Sequence, residues 1–245
     1  MKKGFTIVEL LAVITLLGIL SLISVPLIET TITKNKDKLY KSQINTIREG
    51  AKIWAIHNNK ILPKENGETL NVNLEILKSS GFVESKIKNP KNDKCFYNNM
   101  NIIIKRISNN YEYVVDDKSG IASENDCGFD KNLKNEPIIL MYGQKSINLK
   151  QNEFFNDPGV TLTNYSKSNG DLLVTTIKNE NGVIIEEIDT IFSLGKFTIE
   201  YYLQYKDKNN ITHKTKKSIR NITVSENDNN FVTNGTIPEL DSQVW

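Results

Sequence analysis

Hydrophobic and polar positions fall into three regimes along the chain. From Phe5 to Ile28 nearly every residue is apolar. That run is about 24 residues, or roughly 36 Å of helix, enough to cross a bilayer with some tilt. Glu9 interrupts it, and a carboxylate there costs roughly 2–3 kcal/mol or more in a bilayer. From Lys34 to Asn58 the apolar residues thin to one stripe: Tyr40, Ile44, Ile47, Ala51 and Trp54, with Lys38, Lys41, Gln43, Asn45 and Arg48 elsewhere on the surface. Such a stripe packs on the chain's own core. Pro26 removes one backbone donor and is expected to kink the helix rather than end it, because helical spacing resumes beyond it. One helix over 5–58 would be roughly 80 Å long.

Past Asn58-Asn59 the spacing shortens. Leu74, Leu77 and Gly81-Phe82-Val83 predict a short helix with a glycine stop, followed by a loop through Asn89-Pro90. Strands are expected at Asn101–Ser108 and Tyr111–Asp117, joined by a tight turn at Asn109-Asn110. The polar stretch 131–136 reads as a linker between a head, 59–130, and a second module, 137–225. In that module β-type runs are expected at Ile138–Tyr142, Ser146–Leu149, Gly159–Thr163, Asp171–Ile177, Val183–Ile188, Lys196–Tyr205 and Thr212–Val224. The alternation Phe197, Ile199, Tyr201, Leu203, Tyr205 turns one face to a core. About seven strands in roughly 90 residues is the pattern of an Ig-like β-sandwich. Residues 226–245 are polar, without periodicity, and read as a flexible tail. The fold class is therefore α+β: a long N-terminal helix, membrane-spanning in its first half, a small antiparallel β head, then the sandwich.

Composition narrows the chemistry. The chain has two cysteines and two histidines, and a formal net charge of +2. That balance gives no push toward nucleic acid or acidic partners. Cys95 and Cys127 bracket the predicted hairpin. If the region after the apolar run is extracytoplasmic, they can form a disulfide closing about 33 residues, worth roughly 3–4 kcal/mol. Free thiols or metal ligands are the competing readings, although His57 and His213 stand far from both in sequence. No phosphate loop, nucleophile elbow, His-Glu-x-x-His or metal-ligand cluster occurs, so neither an enzyme nor a cofactor or metal is expected. The lysines at 34–41 read as a solvated, membrane-flanking run, with anionic polymer, lipid headgroups or DNA as alternatives. Lys214, Lys216, Lys217 and Arg220 with Tyr201 and Tyr205 form a faint basic and aromatic candidate for DNA.

Three readings compete for the N-terminal run. A cleaved signal peptide wants a shorter core and a small-residue cleavage site. A plain anchor leaves Glu9 and the Gly4-Phe5 junction unexplained. The third rests on the residues Lys3-Gly4-Phe5-Thr6-Ile7-Val8-Glu9-Leu10-Leu11, which resemble the N-terminus of type IV pilins and pseudopilins. The resemblance implies a leader, 1–4, cut by prepilin peptidase between Gly4 and Phe5, and N-methylation of Phe5. It also implies that Glu9 pairs with the amine so created on a neighbouring subunit, and that 5–28 spans the membrane. Pairing would offset the burial cost and penalise a misregistered subunit. Lys2 and Lys3 would hold the leader in the cytoplasm, with the rest outside.

A second stretch, Phe155-Asn156-Asp157-Pro158-Gly159-Val160, Gly170-Asp171 and Gly195-Lys196-Phe197-Thr198-Ile199, continuing into Arg220-Asn221-Ile222-Thr223-Val224, is similar to a bacterial Ig-like domain of unknown function. Together the resemblances imply a structural, minor subunit of a type IV pilus-like or competence or secretion pseudopilus filament. Its precursor would be a single-pass protein of the cytoplasmic membrane, and its mature form would lie at the cell surface. The partners implied are prepilin peptidase, the assembly platform and its ATPase, other pilin subunits and membrane lipid, with DNA or a surface ligand left open. The alternative is a membrane-retained binding or adhesion protein that uses a pilin-type anchor without filament assembly.

Overall fold

The computed structural model describes residues 6–168, 170–207 and 209–227, and of 22–29 the backbone alone. Helix α1 runs Ile7–His57, 51 residues, or about 77 Å at 1.5 Å per residue. Its assignment passes through Pro26 unbroken. The chain splits into two compact units: Met1–Gln144 with Pro158–Val174 and Tyr202–Ser218, and Lys145–Asp157 with Thr175–Tyr201 and Ile219–Trp245.

In chain order the remaining elements are β1 (Thr69–Asn73), α2 (Leu74–Ser79), β2 (Asn101–Ile107), β3 (Asn110–Asp116), β4 (Ile138–Tyr142), β5 (Ser146–Lys150), β6 (Val160–Thr163), β7 (Leu172–Asn179), β8 (Ile184–Ile185), β9 (Gly195–Lys206), β10 (Thr212–Lys214) and β11 (Ser218–Ser225). In the first unit the order β3-β2-β1-β4-β6 makes a sheet whose four pairings are all antiparallel. The helix stripe behaves as its spacing predicts. Ile47, Ala51, Trp54 and Ala55 are buried with Leu70, Val72, Ile102 and Ile104, while Tyr40 and Ile44 pack at the margin. The helix ends on Asn58, whose side-chain amide and backbone N–H both donate to Trp54 O, satisfying a carbonyl that the helix itself leaves open.

The structure departs from the sequence reading in several places. The hairpin turn is Ser108-Asn109, one residue early, with Ser108 at φ 51°. Asn66 Oδ1 holds it there by accepting from Ser108 N at 2.9 Å. Strand β1 has no counterpart in the sequence pattern. It is short and buried on both faces, so polar Asn71 hides the pattern, its amide donating to Met141 O at 3.3 Å and to Gly143 O. Runs expected together in the second module are divided, because β4 pairs with β1 and β6 with β4. Leu140 and Met141 are buried there.

The second unit contains a mixed sheet of order β5-β11-β9-β7-β8, with β10 paired to the far end of β9 within the first unit. β5 runs parallel to β11, Ile147 opposite Ile222. Alternation in β9 is as read for Phe197, Ile199, Tyr201 and Leu203, which are buried, while Tyr205 is half-buried. The long run expected over Thr212–Val224 breaks into β10 and β11, and the run at Val183–Ile188 shortens to β8. Residues 228–245, most of the expected tail, lie outside the described residues.

Candidate assembly site

Thr6 caps α1. Its hydroxyl accepts from Glu9 N at 3.3 Å, and Glu9 Oε2 accepts from Thr6 N and from Thr6 Oγ1, each at 2.9 Å. This reciprocal box satisfies orphan donors in the helix's first turn, and the carboxylate also meets the positive end of the helix dipole. A cap is worth about 1 kcal/mol. Were the run in lipid, as its sequence implies, a carboxylate would cost roughly 2–3 kcal/mol or more, which the cap alone would not offset. Both bonds to Glu9 fall on Oε2.

Behind the cap the helix is apolar around its circumference and uncovered by the rest of the chain. Ile7, Val8, Leu10, Leu11, Val13, Ile14, Leu16, Leu17, Ile19 and Leu20 are all exposed. Its hydroxyls are satisfied locally: Thr15 Oγ1 donates to Leu11 O and Ala12 O, and Ser21 Oγ to Leu17 O. Polar groups bonded back to their own helix suit a solvent without water. Among the described residues no helix is long and apolar enough to cross a membrane, so the span expected over 5–28 is not shown. Before residues 22–29 the last described apolar side chain is Leu20, about 20 Å from Ile7 along the helix. Gly4 and Phe5 lie outside the described residues, as does the side chain of Pro26.

The head beyond the helix is tied by a disulfide between Cys95 and Cys127, 32 residues apart, with Cα atoms 5.2 Å from each other. Beside it lies a lysine the sequence did not flag. Lys78 is buried, and its ammonium donates to Phe96 O at 3.2 Å, Asn98 Oδ1 at 2.8 Å and Asp126 O at 2.6 Å. Three donors meet three acceptors. Burial pulls this amine down to about 8, against the opposing pull of Asp126 and Glu75. The Asp126 carboxylate accepts from Asn98 N and Ser123 N, both at 2.8 Å. Disulfide and lysine thus fasten the same two segments. In sequence Lys78 is one of many lysines; only its place on α2, four residues after buried Leu74, hinted at burial.

Two members of the basic and aromatic candidate for DNA, Arg220 and Tyr201, do not lie at the surface. Arg220 is fully buried, with Nε 2.9 Å from Asp157 Oδ1, and Tyr201 OH donates to Asp157 Oδ2 at 2.5 Å. Burial pushes the Tyr201 hydroxyl up to about 12. Asp157, which falls in the stretch similar to an Ig-like domain, is the counter-ion of a buried arginine. Lys214 and Lys217 stay at the surface, and Lys216 lies 3.6 Å from Asp130.

Residues 1–25 match the family model of the prokaryotic N-terminal methylation motif. No curated protein and no solved structure matches the chain. The motif match supports a type IV pilin-like precursor processed by prepilin peptidase, and it covers the N-terminal segment alone.

Proposed function

We propose that the chain is a structural, minor subunit of a type IV pilus-like, competence or secretion pseudopilus filament. The observation that carries this reading is Glu9, held in the first turn of an uncovered apolar helix, inside the stretch matched by the methylation motif. As a precursor it spans the cytoplasmic membrane through 5–28, with Lys2 and Lys3 inside. Prepilin peptidase hydrolyses the Gly4–Phe5 bond, and the new Phe5 amine is methylated. The assembly platform and its ATPase then move the subunit from lipid into a filament, where other subunits cover the apolar helix. Glu9 Oε1 is the oxygen assigned to the neighbour's amine, since the cap uses Oε2. A pair buried in register is tolerated, whereas an unpaired charge costs several kcal/mol.

The rest of the chain is carried outward on α1. Its disulfide fits an oxidising compartment. The Ig-like reading is supported by the alternation of β9 and by the strand order β5-β11-β9-β7, while β4 and β6, also within 137–225, pair in the other sheet. A module of that bulk on every subunit would crowd a filament, which favours low copy number.

The test is to express the full chain with its cognate assembly machinery, shear the cells and determine the N-terminus by mass spectrometry. A chain beginning at methylated Phe5 is expected in the sheared fraction. Glu9→Leu should be inserted and cleaved yet be reduced at least about tenfold in that fraction. Normal incorporation of Glu9→Leu would refute the role given to Glu9. A processed chain found only in membranes would favour an anchored binding protein.

A further inference from the structure

Two loops at one end of the second unit present bare aromatic side chains. Phe154 is 87% exposed, Phe192 84% and Ile191 52%. Singly exposed apolar residues are ordinary, but these sit on loops pinned to each other. Gln151 Nε2 donates to Ile191 O at 2.8 Å, Asn152 N to Thr190 O at 3.0 Å, and the buried Thr190 hydroxyl to Glu153 O at 2.8 Å. Asp189 Oδ1 accepts from Ile191 N at 2.8 Å and from Phe192 N at 3.3 Å. The rings are therefore displayed from an ordered turn, with little entropy left to lose on docking.

The loop charge around them is mainly acidic, with the basic Lys150 at the foot of the first loop. Residues 186–194 contain Glu186, Glu187 and Asp189 and no base, and Glu153 adds a carboxylate on the adjoining loop. Such a tip repels anionic lipid and polyanions and suits a partner that is both basic and apolar. That chemistry occurs on this chain's own α1. Ile32 is 50% and Leu39 56% exposed, interleaved with Lys34, Lys36, Lys38 and Lys41. Asp37 within this segment is engaged by Lys91 at 3.1 Å, while the four lysines have no carboxylate partner among the described residues.

We propose that the acidic, aromatic tip carrying Phe154, Ile191 and Phe192 docks on the basic, apolar helix segment Ile32–Lys41 of a second copy of this chain. The contact deepens the filament reading and rests on it for the place where the two copies meet. Two copies suffice, in keeping with a minor subunit. The contact is heterologous, because tip and helix segment are different surfaces. Opposed charges at its rim make it salt-sensitive.

The native cysteines are bonded to each other, so introduced cysteines would be the free thiols. Two differently tagged full-length copies, one Leu39→Cys and one Ile191→Cys, are co-expressed and treated with a short bismaleimide. The reaction is run both on sheared filaments and on membranes. A cross-linked pair is expected, and Leu39→Cys with exposed Ile121→Cys serves as the control. Reversing Lys36 and Lys38 to Glu, or Glu186 and Glu187 to Lys, should lower the yield about tenfold, and combining both reversals should restore most of it. Yields equal to the control, or reversals without effect or without rescue, would overturn the contact. So would loss of binding to phosphatidylglycerol vesicles on lysine reversal with the cross-link unchanged, which assigns the lysines to lipid. Absence of wild-type chain from sheared material sinks the filament reading separately, and the membrane reaction still reads the contact.

Discussion

Gly50 lies in the middle of a helix, where glycine costs about 1 kcal/mol relative to alanine. Its reason is spatial: a Cβ there would lie 2.5 Å from Val83 Cγ2 and 2.7 Å from Phe82 O. The backbone after α2 approaches too closely for any side chain. Gly50→Ala gains helix propensity but overpacks against a carbonyl, a penalty of about 1–3 kcal/mol. A lower urea midpoint for the detergent-solubilised chain is expected. A raised midpoint would mean that Phe82 and Val83 do not lie against the helix there. Lys78 predicts a pH dependence. Its folded-state pKa is lowered to about 8, so above that pH the unfolded chain binds more protons and stability rises with pH. The gain ends near the ordinary lysine value, and the raised tyrosines Tyr40 and Tyr201 oppose it from pH 10 upward. Urea midpoints at pH 7.5, 8.5 and 9.5 should therefore increase in the wild type. They should be lower and rise less steeply in Lys78→Met, which strands three carbonyl acceptors; the remaining rise comes from Lys145, whose amine burial also pulls down. None of these roles could be read from sequence, because Gly50, Lys78 and Asp157 each depend on a neighbour tens of residues away.

Among elements, those with sustained local patterns were legible. The 3.6-residue stripe of α1 and the two-residue alternation of β9 each place a face without knowledge of what covers it. Short elements were not. In β1 polar Asn71 is buried by bonds to the Met141 and Gly143 carbonyls, partners supplied by a strand some 70 residues on. Spacing in sequence likewise left the cysteines with three readings, and tertiary structure brings them together beside the Lys78 cage. Replacing both with serine should lower stability by roughly 3–4 kcal/mol on the chain-entropy estimate. A reductant-insensitive urea midpoint in the wild type would contradict that. The variant should also expose Lys78 to amine acylation, read by peptide mass mapping, since one cysteine follows its Asp126 acceptor and the other precedes its Phe96 acceptor.

For the whole molecule, the sequence placed a linker at 131–136, where polarity rises. Hydrogen bonding crosses that point. β4 continues the sheet of β1, Gly143 N donates to Thr69 O at 2.8 Å, and Tyr142 OH reaches Ile61 O at 3.0 Å. A chain ending at Asn135 would leave β1 as a bare edge and uncover the surface beneath Leu140 and Met141. It should be less stable and more prone to associate than one ending at Asp171, by urea midpoint and light scattering; equal behaviour would make 131–136 a true boundary. What the sequence determined by itself is what depends on nearby residues: the apolar run, Glu9 five residues beyond Gly4, the helix stripe, and most of the strands. Tertiary structure decided which strands share a sheet, that Arg220 lies inside with Asp157, and that Phe154 and Phe192 stand on one pinned tip. The physical reason is range. Periodicity and capping act over a few residues, whereas strand pairing and the neutralisation of a buried charge draw on partners that chain order does not reveal.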